Sequence, residues 1–198
     1  LQKIDLEAER RALDREITFF HFARARKKIT KCIKASSALN DIFFLAYFTA
    51  QKFIIRENFE RAIKYLNICL KLRPADGCSY NDKALCLAEL KKYDEAMAIF
   101  NKGIALSRDC ASLYHNKGWL LNELGEFKQS IIYFKKALEL DGKRVEAIFS
   151  LGDSYSKIGD AKMAGKYFKL SLQEIKGKSS YAGREIKKCL VRLKRQGH

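Results

Sequence analysis

The chain has 198 residues, is 47% apolar, and carries 39 Lys and Arg against 23 Asp and Glu, a formal net charge of +16. One Pro and eleven Gly are too few for an all-β chain, which needs turn residues every ten or so positions. Every apolar run is interrupted well short of the roughly 18 residues a membrane-spanning helix requires.

Helices are therefore expected throughout. Residues 1–42 contain no Gly or Pro, and Leu6, Leu13, Ile17 and Phe20, then Phe22, Ile29 and Ile33, form apolar stripes. This N-terminal arm or cap reads as one long helix or as a helical hairpin. Ser36, Ser37, Asn40 and Asp41 mark its end, with Asp41 as N-cap of the next helix.

From there the chain repeats. Ala62, Ala96, Ser130 and Ala164 recur at intervals of 34, as do Leu66, Phe100, Phe134 and Phe168. The same shift aligns Ala50, Ala84, Gly118 and Gly152, and it aligns Cys69, Gly103, Ala137 and Ser171. A period of about 34 residues with alternating small and bulky columns marks stacked helix-turn-helix units. A small residue lets two helices approach, and the bulky residue of the facing helix fills the space beside it. The units are expected at 43–76, 77–110, 111–144 and 145–176. Gly125 and Gly159 fall in turns, and Pro74 closes the first unit. Residues 177–198 follow as a basic capping helix in which Ile186, Cys189, Leu190 and Leu193 recur at helical spacing.

This pattern resembles the tetratricopeptide repeat family, most closely in the third unit through Tyr114, Gly118, Phe127, Phe134 and Ala137. Gly142 stands where the family usually has Pro, Ser130 replaces Ala, and Lys117 replaces an apolar residue. The resemblance implies an all-α, right-handed solenoid of about four repeats with N- and C-terminal helical caps. It also implies a non-catalytic module that binds other proteins, without a cofactor. Cys69 and Cys86 occupy columns where the family has Ala, and are expected to be inert spacers.

In that family the first helix of each pair lines a concave groove. Carried onto this sequence, the groove comprises Asn81, Asp82 and Glu89; Ser112, His115, Asn116, Trp119, Asn122 and Glu123; and Glu146, Phe149, Asp153 and Ser156. Only Lys157 opposes the acids among these positions. Asn side chains carry paired donors and acceptors for a peptide backbone, Trp119 and Phe149 supply anchors, and the acids favour a neutral or basic ligand. The paired Lys and Arg with which some members hold a terminal carboxylate are missing; Gln51, Asn81 and Asn116 stand there instead.

The excess positive charge lies at the ends. The segment after Gly177 has a net charge of +6 and the first 42 residues +4. Arg24, Lys27, Lys28 and Lys31, with Arg184, Lys187, Lys188 and Arg195, form a basic surface. It raises a second reading, in which nucleic acid or an anionic membrane binds the terminal helices. A homodimer through the N-terminal helix is a third possibility. The six cysteines form no CxxC pair and no His stands at ligand spacing, so no metal is expected. Thiols in an apolar-rich chain point to the cytoplasm. The start at Leu1 leaves open a removed signal or anchor segment and hence a cell-envelope or periplasmic location.

Overall fold

A computed structural model describes residues 4–18, 22–175 and 181–196, without the side chains of 14–18, 181–182 and 194–196. All secondary structure among these residues is helical: α1 (Leu6–Thr18), α2 (Phe22–Ala38), α3 (Ile42–Ile54), α4 (Phe59–Leu72), α5 (Gly77–Glu89), α6 (Tyr93–Leu106), α7 (Ala111–Glu123), α8 (Phe127–Leu140), α9 (Val145–Lys157), α10 (Ala161–Glu174) and α11 (Tyr181–Gln196). The expected all-α helical repeat is what the chain forms. Two compact units are distinguishable, Leu1–Ser107 and Arg108–His198.

From α3 to α10 the helices alternate between 13 and 14 residues, and the members of each pair pack on one another. The second helix of each pair buries a narrow stripe, for example Ala96, Phe100 and Gly103 in α6 and Ala164, Phe168 and Ser171 in α10. These residues stand at i, i+4 and i+7, so one face meets the partner and the other meets water. The first helix buries more of its circumference: Ala147, Ile148, Leu151, Gly152, Ser154 and Tyr155 in α9.

Side chains start several helices. Asp41 accepts from the Phe44 amide at 3.0 Å, Asn58 from Arg61 at 3.2 Å, Asp76 from Ser79 at 2.9 Å and Asp160 from Met163 at 2.9 Å, each satisfying an otherwise orphaned first-turn donor. The turn inside each pair always uses one left-handed residue at the same repeat position: Glu57 (φ 56°), Lys91 (φ 63°), Gly125 (φ 82°) and Gly159 (φ 82°). The two glycines were legible as turns. Glu57 and Lys91 adopt the same strained backbone without a glycine's freedom.

In the first unit, Leu6, Leu13, Ala25, Ile29 and Cys32 of α1 and α2 share a core with Phe43, Phe44, Tyr47 and Phe48 of α3. The N-terminal segment is thus two helices, α1 and α2, packed as a pair. The side chains of Ile17 and Phe20 lie outside the described residues. In the second unit, Ile131, Phe134, Leu151, Tyr155, Ala164 and Phe168 form the core, and Ile186 of α11 joins it with Cys189, Leu190 and Leu193 alongside. The close approaches are steepest at glycine: a methyl on Gly118 would meet the Phe134 ring at 2.9 Å.

Candidate functional site

The first-helix residues fall into two groups. In the second unit, His115, Asn116, Trp119, Glu146, Phe149 and Asp153 are half-buried and Glu123 is exposed. Trp119 and Phe149 are held by the core beneath them, and the Phe149 ring lies 5.5 Å from that of Phe168. Rings fixed from below present a firm apolar surface at little conformational cost to a ligand.

Beside them His115 is locked in place. Nδ1 donates to Asn116 Oδ1 at 3.0 Å, which leaves Nε2 to accept from the Ser150 hydroxyl at 3.4 Å, and the ring tilts against Phe134 at 5.5 Å. Burial lowers the imidazole pKa against the opposing effect of the Asn116 hydrogen bond, so the ring is neutral near pH 7. Arg144 donates to Ser112 at 3.0 Å.

Asn122 is differently placed. It is only 7% exposed, its amide donates to Asp153 at 3.0 Å, and its carbonyl oxygen accepts from Ser154 at 3.0 Å. Ser154 in turn bonds Ser130 at 2.9 Å. Both ends of the amide are thus taken up internally, in contrast to the backbone clamp its residue type suggests. Asp153 also pairs with Lys157 at 3.1 Å, so the negative charge expected there is partly neutralised. In the first unit Asn81 is buried and bonds Asp82, which also accepts from Gln51; Glu89 is exposed at the end of α5.

Lys117, which breaks the apolar pattern, is accommodated by Tyr133: its ammonium donates to the phenol oxygen at 2.6 Å and lies 4.1 Å from the ring centre. The sequence held no sign of this pairing, because Tyr133 is unremarkable for a second-helix position.

Among the basic residues, Arg24 and Lys27 are exposed, Lys28 is bound to Glu9, and Lys31 stands 3.8 Å from the same carboxylate. Arg184 and Lys187 are exposed, and Lys188 pairs with Glu185 at 2.7 Å. Arg195 belongs to α11, but its side chain lies outside the described residues. An exposed run missed in the sequence lies on α10, where Lys162, Lys166 and Lys169 flank Gly165 along a shallow depression.

None of the six cysteines is in a disulfide. Burial pushes the thiols of Cys69 and Cys86 up to about 12 and that of Cys32 up to about 11, which suits inert packing groups rather than nucleophiles. Among the described residues no three His, Cys, Asp or Glu side chains converge to hold a metal ion, and no helix is long and apolar enough to cross a membrane.

No curated protein matches the chain. Among solved structures, the chain is similar to TTC0263, a thermophilic tetratricopeptide protein of Thermus thermophilus, with a TM-score of 0.75 at 16% identity over 92% of this chain and 99% of that one. It is similar to the type III secretion chaperone SycD of Yersinia enterocolitica, solved with a peptide of the translocator YopD (TM-score 0.56, 16% identity, 60% of this chain, 92% of that one). A third similar structure is YrrB, described as a tetratricopeptide protein with an unusual peptide-binding site (TM-score 0.59, 14% identity, 89% of this chain, 88% of that one). At these identities the likeness is one of fold. Tetratricopeptide repeat models match residues 76–143 and 145–174. These two segments of the chain are tetratricopeptide repeats.

Proposed function

We propose that this protein is a non-catalytic adaptor or assembly factor that captures a peptide or helix of another protein on the first-helix face of its second unit. The observation that carries this reading is the pair of half-buried rings, Trp119 and Phe149, seated on a packed core beside the amide of Asn116. Aromatic anchors with a polar neighbour are what a peptide side chain and its backbone need. Glu123 and Glu146 favour a neutral or basic ligand over an acidic one. Tetratricopeptide repeats are in general protein-interaction modules, and SycD and YrrB are both described with reference to a bound peptide or a peptide site. Affinity in the micromolar range, about 8 kcal/mol, suits such a surface.

A displayed peptide library, selected on the intact chain in high salt and counter-selected on Trp119→Ala, tests the reading. Enrichment of neutral or basic peptides with an apolar anchor supports it. Selection of acidic peptides, or equal binding to the variant, overturns it.

A second reading rests on the exposure of Arg24, Lys27, Arg184 and Lys187, through which the terminal helices would hold nucleic acid or an anionic membrane. Such binding weakens steeply with added salt. Charge reversal at Arg184 and Lys187 abolishes it and leaves peptide capture intact.

A further inference from the structure

The second helices of the second unit, α8 and α10, turn lysines to solvent. Lys128 and Lys135 on α8, and Lys162, Lys166 and Lys169 on α10, are all exposed. Lys128 and Lys162 share one repeat position, 34 residues apart, and Lys135 and Lys169 share another. The repeat does not require them, because the same face holds Glu60, Lys64 and Asn67 in α4 and Asp94, Ala98 and Asn101 in α6. Two stacked tyrosines link the lysines of α8 to those of α10. Lys135 Nζ stands 5.8 Å from the Tyr155 ring centre, Tyr155 stacks on Tyr167 at 5.6 Å, and Lys166 Nζ stands 5.8 Å from the Tyr167 ring centre.

Other cations of the chain are met by acids: Arg10 by Asp76 at 2.7 Å, Lys136 by Glu139 at 2.7 Å, Lys157 by Asp153 at 3.1 Å and Lys188 by Glu185 at 2.7 Å. Among the described residues none of these five lysines forms an ion pair. The acids at the helix starts are engaged, since Glu126 accepts from Gln129 and Asp160 from the Met163 amide. Lys162, Lys166 and Lys169 stand at i, i+4 and i+7, so like charges line one side of α10 and repel. An anionic partner relieves that repulsion.

Ile132 decides which anionic partner fits. It stands on α8 between Lys128 and Lys135, at the position Lys166 fills in the next repeat, and is 66% exposed, the most exposed large apolar side chain described. Burying it against an apolar layer is favourable, and a nucleic-acid phosphate backbone offers none, whereas a bilayer has one directly beneath its charged headgroups. The cations are all lysine, compact charges on flexible stems that suit headgroups free to rearrange rather than a fixed bidentate pattern. From this we infer that the outer face of α8 and α10 docks on an anionic lipid surface, with the lysines among the headgroups and Ile132 inserted between them. The site uses none of the residues of the peptide surface or of the terminal helices.

Flotation of the intact chain with phosphatidylcholine vesicles, prepared with and without phosphatidylserine, tests the proposal. The chain floats only when phosphatidylserine is present. Lys162→Gln, Lys166→Gln and Lys169→Gln together lower vesicle affinity by roughly tenfold or more. Ile132→Ser lowers it severalfold at unchanged charge, a loss that charge attraction alone does not produce. Arg184→Gln with Lys187→Gln has the smaller effect. No flotation with phosphatidylserine, or a larger loss from the Arg184 and Lys187 variant than from the α10 variant, overturns the proposal. Equal vesicle binding by Ile132→Ser and the wild type also overturns it, and polyuridine bound equally by both then assigns the face to nucleic acid. If the triple lysine variant loses helicity, Ile132→Ser decides alone.

Discussion

Phe168 lies so close to Gly152 that a methyl group on the glycine would stand 2.7 Å from its Cδ1 atom. The pair occupies the columns filled by Ala50 and Leu66 in the first repeat, and by Gly118 and Phe134 in the third. The first repeat thus pairs alanine with leucine where the third and fourth pair glycine with phenylalanine, while the second holds Ala84 with Phe100.

Gly152→Ala should therefore destabilise the fold by about 1–3 kcal/mol through overpacking. Gly152→Ala with Phe168→Leu, which copies the first repeat, should recover part of the loss. Urea unfolding of the single and double variants measures this. A double variant less stable than the single one would show that the columns do not exchange independently of their repeat.

The left-handed turn residues lead to the opposite sign. Lys91 and Glu57 hold φ of 63° and 56°, where a side chain costs roughly 1–2 kcal/mol. Glycine there relieves that strain at some cost in chain entropy, so Lys91→Gly and Glu57→Gly should each stabilise by about 0.5–1 kcal/mol. Gly125→Ala should destabilise by a similar amount. Thermal unfolding of the three variants would refute this if all moved the midpoint in one direction.

Asn122 is a structural amide. Removing it takes the acceptor from the buried Ser154 hydroxyl and a donor from Asp153, so Asn122→Ala should cost about 1–3 kcal/mol. Trp119→Ala, by contrast, should lower peptide binding by more than it lowers stability, since hot-spot losses often reach about 2 kcal/mol. Calorimetric binding and unfolding on both variants separate the two roles. Equal effects of Asn122→Ala on both would return it to the binding surface.

His115 ties stability to acid. Its folded pKa is lowered by burial, so the unfolded chain takes up a proton near pH 6.5 while the folded chain still resists it. The contribution is complete above about pH 6.5 and is lost as pH falls toward the depressed folded value. His115→Gln should lose less stability than the wild type as pH falls below about 6.5, the ordinary histidine value. Parallel curves would assign the acid response to other groups.

The sequence alone determined the helices, their 34-residue repetition and the small and bulky columns. Each depends on spacing within a few turns of helix, and four copies of one unit repeat the signal. Asp41 as a cap and Gly125 and Gly159 as turns were legible for the same reason: cap and turn chemistry is local. Tertiary structure alone decided how deeply each polar residue is enclosed. Asn122 and Asn116 are the same residue type on one helix, yet the first is enclosed by Asp153 and Ser154 from the next repeat. Lys117 looked like a flaw until Tyr133 met it, and nothing near Arg10 in the chain announces Asp76. A backbone pattern is set by neighbours in sequence, whereas a side chain's hydrogen-bonding capacity is spent on whatever the packed helices bring within about 3 Å.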